Sequence, residues 1–112
     1  MKKSFRQKNS IGQLENGTPI TCVIRNVKLI EVSELEMQFI YGTVEHDNLG
    51  RWGPGNWVVS SAIGRIDTEK LLVYTQNSIY KVNALPPPIS LSAEQFLMVR
   101  RGVPPAYIKV NA

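Results

Sequence analysis

The residues of this sequence that could take part in catalysis are few and widely spaced. Its 112 residues include one histidine, His46, and one cysteine, Cys22. His46 is followed directly by Asp47, and neighbours in a loop rarely form the base and orienting pair that a nucleophilic serine needs. The sequence also lacks a Gly-x-Ser-x-Gly motif and a glycine-rich phosphate loop ending in Lys-Ser or Lys-Thr. We therefore predict a protein without enzymatic activity.

The same residue types also limit which metal sites, cofactors and cellular locations we expect. One cysteine and one histidine do not make a zinc site of ordinary composition, and we expect no metal and no cofactor. A lone cysteine forms no intramolecular disulfide, which fits a reducing compartment. The basic start "MKKSFRQKNSIGQ" lacks the apolar centre of a signal peptide, and no apolar run approaches the ~20 residues of a membrane helix. We expect a cytoplasmic protein that does not enter a membrane.

Two tryptophans carry the strongest binding signal. Trp52 and Trp57 flank a Gly-Pro-Gly turn in "RWGPGNW", and the sequence contains no other tryptophan. Trp52 lies among turn-forming residues and next to Arg51, so we predict that it lies at or near the surface. Trp57 opens the apolar run "WVVSS", so we predict that it is buried in a core strand.

Two classes of partner fit a displayed aromatic loop. Single strands of nucleic acid stack on exposed rings beside basic residues, whereas Trp, Tyr and Arg also concentrate in protein interfaces. The candidate binding residues are Tyr41, Arg51, Trp52, Arg65 and Lys81. The net charge of +4 and the pI near 9.4 are modest for nucleic-acid binding. We predict a protein partner or a homo-oligomer, with single-stranded nucleic acid as the alternative.

The elements that position these residues are mostly strands. In "ITCVIRNVKLIEV" the apolar residues change parity near Arg25-Asn26, which indicates a β-bulge. Later apolar runs are separated by turn-forming residues, and Gly64 indicates a second bulge. Five strands with short links predict a mainly β fold, namely a small antiparallel barrel or curled sheet of the SH3-like or OB-like kind.

One helix is predicted near the C-terminal end, at residues 92–101. Ser92 and Gln95 have the spacing of a capping box, and Gly102 follows as a stop. Phe96 and Val99 share one face of this helix, and we expect Phe96 to pack on the sheet. The predicted organisation is a flexible basic arm at residues 1–16 and one β-rich domain at residues 17–112.

A resemblance covers about a quarter of the chain. The segment "WVVSSAIGRIDTEKLLVYTQNSIYKV", residues 57–82, resembles small proteins of bacterial mobile elements such as bacteriophages, plasmids and integron cassettes. The matching residues are Trp57-Val58, Ser60-Ser61, Ile66-Asp67, Thr75, Asn77-Ser78 and Tyr80. The resemblance implies an accessory cytoplasmic protein of bacterial origin, and it implies no activity.

Overall fold

Strands are the main secondary structure of the described residues, and one α-helix follows them, as the sequence predicted. The computed structural model describes residues 14–15 and 18–108, with the backbone alone described at residues 14, 15, 18 and 19. The elements are β1 (Leu14–Glu15), β2 (Thr18–Pro19), β3 (Cys22–Val32), β4 (Met37–Asp47), β5 (Trp57–Val59), β6 (Ile63–Asp67), β7 (Leu72–Thr75), β8 (Ile79–Lys81), β9 (Ile89–Ser90) and α1 (Ala93–Arg100), with single 3₁₀ turns at Ser33–Leu35 and Pro105–Tyr107.

The predicted N-terminal arm, residues 1–16, lies outside the described residues except at its end. There, β1 pairs with β2 in a separate two-stranded sheet.

The main sheet has seven strands of mixed direction, so the predicted five-stranded antiparallel barrel is not confirmed. Its order is β5-β4-β3-β8-β7-β6, and β9 also pairs with β3. Both β8 and β9 run parallel to β3, whereas the remaining pairs are antiparallel. The parallel pairs arise because β8 and then β9 line up along the edge of β3 that β4 leaves open.

Residues 60–62 separate β5 from β6. The backbone N–H of Ser60 donates to Ile40 of β4 over 2.9 Å, while the carbonyl of Ala62 accepts from Gln76, just after β7. Ser60 is buried, and its Oγ accepts the N–H of Ile40 over 2.9 Å. The sheet therefore bends back on itself at this corner, but β5 and β6 remain its two ends and the barrel does not close.

The bulge predicted near Arg25-Asn26 is confirmed. The register between β3 and β4 shifts between Arg25 and Lys28, and Asn26 has a positive φ of 53°. Gly42 lies opposite this bulge, and a Cβ there would be 3.1 Å from the carbonyl oxygen of Arg25, so the close approach favours glycine. Because of the extra residue, Ile24 and Val27 face the same core despite their opposite parity. The second predicted bulge is confirmed as a register shift at Gly64.

Two apolar cores lie on opposite faces of β4. The first core contains Cys22, Ile24, Val27, Ile40, Val44, Val58, Val73, Tyr80 and Val82. The second core contains Ile30, Val32, Phe39, Leu91, Phe96, Val99 and Ile108. Adjacent residues Phe39 and Ile40 point into different cores because successive side chains of a strand alternate between faces.

The helix α1 covers the second core. It begins with the predicted capping box: Ser92 Oγ accepts the N–H of Gln95 over 3.0 Å, and Gln95 Oε1 accepts the N–H of Ser92 over 2.9 Å. Phe96 is buried and stacks on Phe39 with 4.1 Å between ring centroids, which confirms that Phe96 packs on the sheet. The helix ends after eight residues, and Gly102 follows with a φ of +112°.

Candidate binding groove at the edge of the sheet

Asp47, the last residue of β4, fixes the loop between β4 and β5. Its carboxylate forms a two-point salt bridge with Arg51: Nη2 donates to Oδ1 over 2.9 Å, and Nε donates to Oδ2 over 3.0 Å. Oδ2 also accepts the backbone N–H groups of Arg51 and Trp52, over 2.6 and 3.3 Å. One buried carboxylate therefore sets the backbone where the chain enters the Gly-Pro-Gly turn.

The charge of Arg51 is balanced within the protein. The Asp47 side chain has no exposed surface, and Arg51 Nη1 also donates to Ser78 Oγ over 3.0 Å. Burial by itself would raise the pKa of Asp47, but the hydrogen bonds and positive charge of Arg51 outweigh it, so this pKa lies below its ordinary value. Arg51 therefore holds the loop in place rather than offering its charge to a ligand.

The exposure of Trp57 differs from the one predicted, whereas Trp52 lies partly at the surface. Trp57 is 44% exposed, so the prediction that it is buried in the core is wrong. Trp52 is half-buried: its ring packs against the first core, and the Arg51 guanidinium lies 4.0 Å from its centroid.

Contacts with residues outside the Gly-Pro-Gly turn explain the exposures of the two tryptophans. The backbone N–H of Trp52 donates to the carboxylate of Asp47, and this hydrogen bond turns the loop back toward the first core. Trp57 stacks on Tyr41 with 6.1 Å between ring centroids, on the face of the sheet that α1 partly covers. A Cβ at Gly102 would lie 3.7 Å from Trp57 Cζ2, so the indole lies beside the end of α1 and the helix leaves part of it exposed.

Both tryptophans line one open groove along β5, called here the edge groove. It has a volume of about 420 Å³ and is lined by Trp52, Asn56, Trp57, Val58, Val59 and Arg100. Arg100 reaches the groove from α1: its Nη2 donates to the carbonyl of Ser60 over 3.0 Å, and its guanidinium packs on Phe96. Within residues 20–108, the one salt bridge joins Asp47 and Arg51, so no carboxylate is paired with Arg100 there.

The backbone of β5 is paired on one side. Val58 lies opposite Gly42 of β4. The carbonyl of Asn56 accepts from Val44 over 2.7 Å, and the N–H of Ser60 donates to Ile40 over 2.9 Å. Because antiparallel strands alternate between bonded and non-bonded pairs, Trp57 and Val59 direct their N–H and C=O groups away from β4. β5 ends the order of the sheet, so in the described part of the chain no strand pairs with this side.

The five predicted binding residues do not form one surface. Tyr41 supports Trp57, and Arg51 and Trp52 belong to the fixed loop, as described above. Arg65 lies on β6 with its guanidinium 3.9 Å from the ring centroid of Tyr74, and Lys81 on β8 donates from Nζ to the carbonyl of Lys70 over 2.7 Å. Neither Arg65 nor Lys81 lines the edge groove.

Three functional features were missed in the sequence. Trp57 was assigned to the core, Arg100 was not among the candidate binding residues, and Asp47 was considered only as a partner of His46. The spacing of four residues between Asp47 and Arg51 is a usable signal for a local salt bridge. Nothing in the spacing of Arg100 from the tryptophans indicates that α1 brings it to their groove.

The residues considered for catalysis are not brought together. Asp47 is buried and bonded to Arg51, whereas its neighbour His46 is exposed. Cys22 is fully buried, and burial, with a smaller contribution from the charge of Asp47, raises the pKa of its thiol to about 11. At neutral pH such a thiol carries almost no thiolate, which is the nucleophilic form.

A second open groove, with a volume of about 480 Å³, lies beside the turn between β3 and β4. Its lining includes the carboxylates of Glu31 and Glu36 and the exposed Met37, but no aromatic ring. The edge groove is therefore the better candidate for binding, because it combines aromatic rings, a cation and a strand edge.

Comparisons with known proteins returned no match: no protein-family model, no curated protein and no solved structure is similar to this chain. The resemblance of residues 57–82 to proteins of mobile elements therefore stays a prediction, as does the cytoplasmic location. Over the residues that the structure describes, no helix has both the length and the apolar character that crossing a membrane requires.

Proposed function

We propose that this protein is a binding module without enzymatic activity, and that it holds a partner protein in the edge groove. The observation that carries the proposal is the exposed Trp57 ring beside a strand edge with which no other described strand pairs. Full burial of a large apolar side chain is worth roughly 1.5–3 kcal/mol, and a partner that covers the 44% of Trp57 that is exposed recovers part of that energy. Aromatic and arginine side chains are also the types that contribute most to protein interfaces.

The fixed architecture of the groove supports this role. Trp52 is held by the Asp47 network, Trp57 by Tyr41, and Arg100 by its bond to Ser60. Binding therefore orders few side chains, so the part of the entropic cost that comes from immobilising side chains is small.

Single-stranded nucleic acid is the second candidate, and the stack of Trp57 on Tyr41 is the observation that favours it. A base could stack on the outer face of Trp57. However, Arg51 is neutralised by Asp47, which leaves Arg100 as the one cation lining the groove without a carboxylate partner among residues 20–108. A strand of nucleic acid needs several such cations along its backbone, so a protein partner fits the groove better.

The test is a selection of linear random peptides displayed on phage against the wild-type protein. We expect selected peptides to bind wild type in a titration, and Trp57→Ala to weaken their binding at least tenfold, as expected for an aromatic residue that dominates an interface. Tyr107→Ala is the matched control, because Tyr107 is 80% exposed and does not line the edge groove. The control variant should bind like wild type.

Three other outcomes would each point to a different binding site or partner. Peptides that bind Trp57→Ala and wild type equally would place the binding site elsewhere. If labelled single-stranded DNA binds wild type, with an affinity that falls steeply with salt and is lost in Trp57→Ala, the nucleic-acid function replaces the one proposed. A loss of self-association in Trp57→Ala, measured by light scattering, would identify a second copy of this chain as the partner.

A further inference from the structure

We propose, on the basis of the function above, that the partner is an extended, acidic segment of polypeptide that adds to β5 as a new strand. Three features of the edge groove carry this inference: its backbone groups, the placement of its two tryptophans, and the position of its cation.

The backbone groups of β5 are those that an added strand needs. Trp57 and Val59 each direct one N–H and one C=O away from β4, which gives two donors and two acceptors at strand spacing. Other proteins bind extended peptides at such an edge, where main-chain hydrogen bonds provide affinity and side-chain pockets provide specificity.

The tryptophans lie on the two faces of this edge. Trp52 packs against the first core, into which Val58 also points. Trp57 stacks on Tyr41, which packs against the second core on the opposite face. Because successive side chains of a strand point to opposite faces, an added strand would place alternate side chains against Trp52 and against Trp57. Both contacts favour apolar side chains.

The positive charge of the groove favours an acidic partner. The position of Arg100 indicates where along the added strand the acidic residue should lie. Arg100 lies at the end of β5 where Ser60 follows, and no carboxylate pairs with it within the described ranges. Glu45, the nearest acidic residue along β4 outside the Asp47 network, lies beyond the opposite end, past the pairing of Thr43 with Trp57. A carboxylate on the partner is therefore favoured at the Ser60 end and disfavoured at the Asn56 end.

A second copy of this chain is the weaker fit. The strand that it would offer, Trp57–Val59, contains no acid for Arg100, and each copy carries a net charge of +4. Association of two such chains through this edge is opposed by their mutual repulsion.

The test uses two displayed peptide libraries in which charged positions flank a short apolar segment at both ends, one library with Asp and Glu and the other with Lys and Arg. We expect binders from the acidic library alone. In Arg100→Gln their binding should weaken about fivefold, and in Arg101→Gln it should not change, because Arg101 carries the same charge one residue later but does not line the groove.

Strand addition is measured directly by hydrogen exchange at single amides. When an acidic peptide binds, the amides of Trp57 and Val59 should slow at least tenfold, whereas that of Val58 already bonds to β4 and should change little. Val59→Pro removes the outward N–H without removing a bond to β4, and should weaken binding roughly fivefold relative to Val59→Ala. If Val59→Pro does not fold, the exchange pattern in wild type decides the question.

The failures of the two proposals are distinguishable. Peptide binding that is lost in Trp57→Ala but leaves the Trp57 and Val59 amides unprotected overturns strand addition and keeps the binding function. Equal selection from the basic library overturns the acidic preference. Absence of any binder from these and the random library, with no self-association and no DNA binding, overturns the proposed function itself.

Discussion

The carboxylate of Asp47 accepts hydrogen bonds from both the side chain and the backbone of Arg51, and from the backbone of Trp52. It is one of only three buried polar or charged residues among those described, with Ser60 and Ser78. Ser78 bonds to Arg51, and Ser60 fixes the corner after β5. Among the described residues, the buried polar groups Asp47 and Ser60 therefore fix the backbone before and after the two tryptophans.

Replacement of Asp47 by Asn should lower the free energy of unfolding by roughly 2–3 kcal/mol, because the amide loses the charge and leaves the Arg51 guanidinium without its partner. Urea titration followed by tryptophan fluorescence measures the loss. Glu45→Gln, an exposed acid on the same strand, is the control and should change stability by less than about 0.5 kcal/mol. Equal stability of Asp47→Asn and wild type would show that the network does not hold the loop.

The same variant should remove part of the acid sensitivity of the protein. The pKa of Asp47 is lower in the folded protein than its ordinary value of 3.8, so its contribution to stability is complete above that value and is lost as the pH falls below it. As the pH falls below about 4, the free energy of unfolding of wild type should therefore decrease more steeply than that of Asp47→Asn. Parallel curves for the two proteins would contradict the lowered pKa.

At the scale of single elements, the start of α1 depends on the reciprocal bonds between Ser92 and Gln95. Ser92→Ala removes the bond to the Gln95 N–H and should cost about 1 kcal/mol in the free energy of unfolding. Ser90→Ala is a matched control, because Ser90 is exposed and lies outside the helix. A chemical denaturation series on both variants measures the difference, and equal costs would mean that the cap contributes nothing specific.

Local signals in the sequence were sufficient for the elements whose structure depends on nearby residues. The parity change at Arg25-Asn26 predicted the bulge, and the spacing of Ser92 and Gln95 predicted the helix start, because both effects act within a few residues. The unclosed sheet was not predictable in this way. It depends on β8 and β9 lining up parallel to β3, a pairing between distant segments that the alternation of apolar residues does not encode.

The candidate site was predictable only in part, for the same reason. The Gly-Pro-Gly turn between two tryptophans drew attention to the right loop. Which indole is exposed depends on the bond from Trp52 to Asp47 and on the place where α1 ends beside Gly102. The bond to Asp47 spans five residues, whereas the contact beside Gly102 is tertiary, and a tertiary contact overrides the simple expectation that a tryptophan at the start of an apolar strand is buried.

At the scale of the whole molecule, the two cores share β3 and β4. These strands supply Ile24 and Ile40 to the first core, and Ile30 and Phe39 to the second. The edge groove lies where the faces that carry these cores meet, with Trp52 against one and Trp57 near the other. A disturbance of the second core should therefore be transmitted through the shared strands to the whole fold.

Phe96→Ala tests this coupling in the full chain. Phe96 is almost fully buried against Phe39, so its truncation should cost about 3–5 kcal/mol in the free energy of unfolding. If the two cores unfold together, circular dichroism and tryptophan fluorescence should report one shared transition at a lower temperature. Leu97→Ala is the control: Leu97 is adjacent on the same helix but 51% exposed, and its replacement should shift the transition little.

A chain that ends at Pro88 lacks α1 and should melt at a lower temperature still. If that chain melts at the wild-type temperature, or if Phe96→Ala shows two separate transitions, the helix is an appendage and the first core folds without it.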